Sequence, residues 1–321
     1  MTRFRISALA VSLALFAGAI LLDRSQAALP SPPAIPAESR SIAQNGAHLD
    51  PPSAAELRAR TLKVIANLHS SDNVIDQYER IERVYERTAG QSPKVLEDKT
   101  FRVVPIVAGS YRMLVKQNDK PVDAAEYNRE LEQWATALAL ALKPDDPRMK
   151  SAMEKYQKRQ RDRSELVDAT LNSYLEKWLG GEMMNGHLCD VVELDPNPQF
   201  HPRSILQEAL THAVVKVWVD HTSDQIVRGE ARITRDISIG AGFFGKLYRG
   251  GVFTLEQTEV SPGVWLPLRR QYDYMGRKFL FPFEEHQLIE DSQYRRLGPP
   301  SRILTDVRNE IASRKPASGN Q

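Results

Sequence analysis

The chain has 321 residues, 41% of them hydrophobic, which is enough to bury a sizeable core. Its 43 Lys and Arg stand against 41 Asp and Glu. Residues 1–27 hold three basic side chains (Arg3, Arg5, Arg24) and one acidic one (Asp23), so the rest of the chain carries 40 of each sign. That balance excludes the basic surface that dominates nucleic-acid affinity.

At the N-terminus, Arg3 and Arg5 precede an uncharged apolar stretch from Ile6 to Leu22, and Ser25–Ala27 supplies small residues for cleavage. This is the pattern of a secretory signal, and it predicts cleavage after Ala27 and a periplasmic location. An uncleaved inner-membrane anchor is the alternative, although the stretch falls short of the ~20 residues that span a bilayer. After cleavage any membrane contact is peripheral. The only cysteine is Cys189, so the fold holds by burial and not by an internal disulfide. No histidine pattern near it suggests an activated thiolate.

Residues 28–52 carry "LPSPPAIPAES" and "HLDPP", a proline density that predicts an extended tether. A single domain is expected over 53–298, with a helical insertion over about 123–168 and a polar tail over 299–321 in which "SRILTDVRNEIAS" suits a short helix. Ser53 with Glu56 forms a capping box ahead of Leu57, Val64, Ile65 and Leu68, predicting a helix over about 53–69. The period then changes. "NVIDQYERIERVYERT", "KVLEDKTFRVVPIV" and "SYRMLVKQNDKPV" read as antiparallel strands separated by turns.

Asp123 with Glu126 caps the Ala- and Leu-rich segment that follows, Pro144 and Pro147 break it, and a charged helix resumes. Residues 148–163 hold seven basic and two acidic side chains. The run suits a solvated helix face. It also suits a basic arm in which Lys155, Lys158, Arg159, Arg161 and Arg163 meet anionic head groups or an acidic partner. Residues 171–179 fit a helical stripe and a strand alternation equally well. Asn185–Gly186 is a hairpin signal, and "DPNPQFHPR" is a loop.

From His212 to Tyr294 alternation is clearest. Val215, Val217 and Val219 share one strand face, with Lys216, Trp218 and Asp220 on the other. In the next strand Val227, Gly229, Ala231 and Ile233 share a face. About ten strands with long helical excursions make a large antiparallel sheet, and one of that size should curl, with Gly229, Gly250, Gly251 and Gly276 as places for the bends.

No HxH or HExxH pair occurs among seven histidines, so no metal site is expected. GxSxG and GxxxxGK[ST] are absent too, so no cofactor and no catalytic residue is assigned. Glu284, Glu285 and His286 lie consecutively on one strand, and neighbouring residues there point to opposite faces. Phe243 and Phe244, between glycines in "ISIGAGFFG", suit either a loop folded over the core or an apolar lip at a cavity. Trp218, Phe253, Leu255, Trp265 and Tyr272 join them as candidate ligand-lining residues, although residues of this kind are more often core packing than ligand wall.

The strand end at Trp218 and Asp220, "IVRGEARI", "FTLEQTEVSPGVWLPLRRQY", "NG" before "CDVVEL", and "YRMLVKQNDKPVD" together resemble the periplasmic lipoprotein-sorting carriers of the Lol type, in an uncharacterised envelope-protein branch. The resemblance covers roughly residues 74–294. It implies a curved antiparallel half-barrel with helices on its concave side, binding acyl chains or a lipidated protein. It also brings in stress-sensor relatives that use the fold as a regulatory module. The insertion at 123–168 departs from the carriers, and no family functional residue maps onto this chain. The expectation is a non-enzymatic envelope protein that binds a lipid or lipoprotein acyl chain, possible lipoprotein sorting included. The alternative is an envelope sensor or interaction scaffold that meets a protein partner through the basic helical arm.

Overall fold

A computed structural model describes residues 49–89, 93–239 and 245–314. The signal and most of the tether fall outside these residues, as do Phe243 and Phe244. In chain order the elements begin with α1 (Ala54–Val74), β1 (Tyr78–Arg87), β2 (Val95–Ile106), β3 (Gly109–Gln117) and β4 (Lys120–Pro121). Helices α2 (Ala124–Ala141) and α3 (Pro147–Ser173) precede β5 (Tyr174–Met184) and β6 (His187–Pro196). After α4 (Ile205–Leu210) come β7 (Ala213–Asp220), β8 (Ile226–Ile233), β9 (Ile237–Ile239) and β10 (Gly245–Leu247). The chain closes with β11 (Val252–Ser261), β12 (Val264–Lys278), β13 (Phe281–Arg296) and α5 (Pro300–Arg314). The architecture is an antiparallel sheet that is not closed into a barrel, with helices. The thirteen strands among the described residues exceed the expected ten because β4, β9 and β10 are only two or three residues long.

The chain divides into two compact units. The first comprises residues 1–72, 86–96 and 162–289. Its strands run β5-β6-β7-β8-β11-β12 and then the N-terminal half of β13, with β9 and β10 attached beside β12. The β5–β6 turn uses Asn185 and Gly186 at φ 51° and 86°, the paired positive angles that a two-residue hairpin needs. Between Trp218 and Val219 the β7–β8 register shifts, so Val217 faces Gly229 and Val219 faces Ile226. This bulge corrects one expectation: Ile226, and not Val227, shares the face of Gly229, Ala231 and Ile233, opposite Val217 and Val219. Val227 turns to the other side and packs with Cys189, Val191, Trp218 and Trp265, because the extra residue reverses the alternation. Gly276 lets β10 lie close, since a Cβ there would come within 2.4 Å of the Lys246 carbonyl oxygen.

The second unit comprises residues 73–85, 97–161 and 290–321. Strands β4, β3, β2 and β1 follow in order, with the C-terminal half of β13 next to β1. Asp123 caps α2 by accepting from the N–H groups of Ala125 at 2.8 Å and Glu126 at 3.3 Å. The apolar stripe of α2 (Leu131, Trp134, Leu138) then packs with Val104, Met113 and the Ile303, Leu304 and Val307 face of α5. The Trp134 indole N–H donates to the Pro105 carbonyl at 3.1 Å. This sheet also buries charge. Arg80 and Asp291 pair at 3.1 Å with side chains 5% and 0% exposed, and Glu79 is gripped by both Arg102 and Arg295.

Candidate functional site

Helix α1 starts where its sequence says it should. Ser53 N–H donates to the Glu56 carboxylate at 2.7 Å, and Glu56 N–H donates to the Ser53 hydroxyl at 3.3 Å. With the start fixed, Leu57, Thr61, Val64, Ile65 and Leu68 fall on one side at i, i+3 and i+4 spacings. That side lies over Val192 and Leu194 of β6, Val217 and Val219 of β7, and Ile226 of β8, enclosing a cavity of about 50 Å³. Tyr174 and Glu176 of β5 and Thr170 at the end of α3 complete its wall. The Tyr174 hydroxyl is buried there with no hydrogen-bond partner, and burial pushes its ionisation well above the usual phenol range.

The polar end of this cleft is an ion-pair cluster. Arg60 Nε donates to Asp224 Oδ1 at 2.6 Å, its Nη1 donates to Asp190, and its Nη2 reaches the Asp220 carbonyl at 3.3 Å. Lys63 approaches Asp224 at 3.3 Å, and the Asn67 amide donates to the Asp224 carbonyl at 2.9 Å. Positions 60, 63 and 67 share one flank of the helix, so α1 is stitched to the β7–β8 turn along two turns of its length. A second anchor runs from Arg58 to the Leu171 carbonyl at 2.5 Å and Glu176 at 3.2 Å.

The carboxylates are built to stay ionised. Burial opposes the charge on Asp190, but His221 at 2.7 Å, Arg60 and the Trp178 indole N–H at 2.9 Å outweigh it and hold its pKa below the usual value. At Asp220 burial is likewise outweighed, here by the hydroxyl and backbone N–H groups of Thr222 and Ser223, and the carboxyl stays far below its usual range. Each nearby histidine serves one carboxylate: His221 serves Asp190, and His187 sits 3.0 Å from Asp220. Among the described residues no group of three or more His, Cys, Asp or Glu side chains could hold a metal ion. Glu285 accepts from the Tyr274 hydroxyl at 2.9 Å, while His286 meets Asp273 at 3.0 Å, so these strand neighbours serve separate partners.

None of the described candidate ligand-lining residues is a wall of this cleft. Trp218 and Trp265 pack together with Cys189 on the opposite face, where the Trp218 indole N–H donates to Glu182 at 2.9 Å. His187 stands edge-on to Trp265 at 4.9 Å. Phe253 and Leu255 share the cleft's sheet face by register but lie further along it, with Phe253 stacked on Tyr274 at 5.3 Å and edge-on to Tyr272 at 6.0 Å. Burial pushes the Cys189 thiol up to about 12, helped by Asp220, Asp190 and Glu182. Of the basic arm, Lys155, Lys158 and Arg161 are exposed. Arg159 instead donates to the Ala108 carbonyl at 3.4 Å and lies over the Tyr156 ring, and Arg163 pairs with Asp72 at 3.5 Å.

The residues that build the cleft were partly visible in the sequence: the α1 stripe and the Val215–Val219 alternation both were. The Arg60 cluster was not, because its members lie more than 100 positions apart.

No family model and no curated protein matches the chain. Several solved structures are similar to it, three of which follow. A lipoprotein-sorting protein domain from Vibrio parahaemolyticus, described as an outer-membrane one, aligns at 9% identity over 78% of this chain and 99% of its own, with a TM-score of 0.33. A DUF1329 family protein from Desulfovibrio piger aligns at 12% identity over 75% of this chain and 92% of its own, TM-score 0.29. A LolA-superfamily protein from Nitrosomonas europaea aligns at 11% identity over 75% of this chain and 96% of its own, TM-score 0.27. The first and third carry names of the lipoprotein-sorting kind that the sequence resembles, and at these scores the likeness carries neither residue nor ligand over to this chain.

Proposed function

We propose that the chain is a secreted, non-enzymatic envelope protein that takes up an apolar ligand, a lipid or a lipoprotein acyl chain, in the cleft beneath α1. The observation that supports this reading is an apolar cleft with aliphatic walls, one of whose lining residues, Tyr174, carries a buried hydroxyl without a hydrogen-bond partner. An acyl chain fits that chemistry, its methylenes against Val192, Val217 and Ile226 and its ester or amide carbonyl against Tyr174. Each methylene taken from water contributes about 0.8 kcal/mol.

The cavity of about 50 Å³ holds a few waters at most, against the ~300–1,000 Å³ typical of ligand pockets. Uptake therefore requires α1 to lift. Ligand methylenes would replace the contacts of Leu57, Val64, Ile65 and Leu68, and the Arg60 cluster would set how readily the helix leaves. Binding of this kind depends little on salt once the helix is open, because burial and not charge supplies the affinity.

Native mass spectrometry of the protein isolated from the envelope, followed by organic extraction, tests the reading. Co-purified lipid that is lost in Val217→Trp, which fills the cleft, is the expected result. A lipid-free protein that takes up no added fatty acid, with Arg60 intact or replaced, would overturn it.

A further inference from the structure

The turn between β12 and β13 departs from the rules that the neighbouring turns keep. The turns at Asn118–Asp119, Asn185–Gly186 and Gly263 place Asn, Asp or Gly at positive φ, as backbone sterics favour. At the β12–β13 tip the positive angle, 53°, belongs to Phe279, a bulky residue that seldom adopts it. Arg277 donates to the Phe279 carbonyl at 2.9 Å and steadies the turn. Three large apolar side chains then stand in solvent in succession: Phe279, Leu280 and Phe281, 46%, 86% and 76% exposed. Leu280 and Phe281 are thus displayed from a strained turn, and such departures gather at functional positions.

Basic side chains outnumber acidic ones beside this tip. Lys278 pairs with Gly245 and Arg277 with Lys246 in the β10–β12 ladder, so three cations sit on the outermost rungs beside the three apolar side chains. Asp236 meets Lys246 at 2.8 Å, and the first acidic residue along β13 is Glu284, three positions past Phe281. An apolar point with a cationic collar matches an anionic bilayer, where phosphates overlie acyl chains. A protein groove would take the apolar side chains without needing the collar.

We propose that the Phe279–Phe281 tip inserts into the head-group and acyl boundary of an anionic lipid surface. This does not rest on the cleft beneath α1: a chain whose cleft is always empty could still dock through the tip.

The full chain carrying Leu280→Cys, labelled with an environment-sensitive nitrobenzoxadiazole dye, tests it directly. Cys189 is buried and stays unlabelled. With vesicles containing phosphatidylglycerol, dye emission should rise several-fold and shift to the blue, and acyl-chain spin labels should quench it more than head-group labels. Vesicles of phosphatidylcholine alone should respond more weakly. Adding Phe281→Asp should lower vesicle affinity at least about tenfold, the scale expected from losing one buried aromatic side chain. The same dye at Met183→Cys, exposed on the β5–β6 hairpin, should not respond. A silent dye at position 280 would overturn the proposal, as would equal responses at 183 and 280. A response to protein concentration without vesicles would overturn it in favour of a second copy of the chain.

Discussion

Arg60 on α1 and Asp190 on β6, 130 positions apart in the chain, meet as an ion pair at the polar end of the cleft. Burial works against the Arg60 charge, yet Asp224 and Asp190 outweigh it and raise the guanidinium pKa. Replacing Arg60 by Ala removes the cation that Asp190 and Asp224 share, leaving Asp224 to Lys63 and Asp190 to His221 and Trp178, so a loss of about 1–3 kcal/mol is expected for this partly exposed cluster. Urea denaturation should show a lowered midpoint. Amide exchange in residues 57–68 should speed up more than exchange in the α2 core if the pair holds the helix down.

Acid should loosen the same contact. The folded pKa of Asp190 and that of Asp220 are lowered, so their stabilisation is complete above the unfolded carboxylate value of about 3.9. It is lost as pH falls through the lower folded values. Helix α1 should keep its protection from neutral pH down to about 4 and lose it below that. Asp190→Asn should flatten this dependence. Exchange followed by mass spectrometry between pH 7 and pH 3 reads both outcomes, and an α1 that opens equally in wild type and variant would refute the assignment.

In the second unit, Leu138→Ala should cost about 2–5 kcal/mol, because Leu138 is fully buried between α2 and its neighbours. Trp134→Phe should cost less, about 1 kcal/mol for the lost bond to Pro105 plus the smaller ring. Equilibrium unfolding with an unchanged m-value would attribute the losses to packing.

Gly276→Ala tests the close approach of β10. The new methyl group would meet the Lys246 carbonyl oxygen at 2.4 Å, so β10 must move or detach. A loss of about 1–3 kcal/mol is expected, with faster exchange confined to residues 245–247. Gly263→Ala, where a Cβ meets nothing within 4 Å, should cost only the strain of its positive φ.

The basic arm separates two readings of one charge run. Reversing Lys155 and Arg161 should leave stability within about 0.5 kcal/mol, because both are exposed. Arg163→Glu should cost more, since its partner Asp72 would face a like charge. A partner protein whose binding is salt-sensitive and lost in the Lys155 and Arg161 variant would support the scaffold reading.

Local signals were legible in the sequence, and distant partners were not. The Ser53–Glu56 and Asp123–Glu126 starts and the Asn185–Gly186 turn all stand where expected, because each is settled by residues a few positions apart. The segment from 171 to 179 fitted two periods. Its boundary falls between Ser173 and Tyr174, where pairing with β6 takes over from the helix. The β7–β8 bulge was illegible, since one extra residue reverses a face without altering composition. So were the short β9 and β10, which exist only through β12, and the buried charges Arg80, Asp291 and Glu79, whose partners lie on other strands.

Strand β5 is the last in its sheet, and only β6 pairs with it among the described residues. Leu175, Leu179 and Met183 along it are exposed, a combination that invites another chain to add a strand. The register shift at Trp178 and Gly180, the φ of 134° at Gly180, and Lys177 beside it all interrupt that margin. An irregular border of this kind guards the strand against cross-β growth. Straightening it, with Gly180 replaced and Leu179 deleted, should make the chain prone to form fibrils or inclusion bodies.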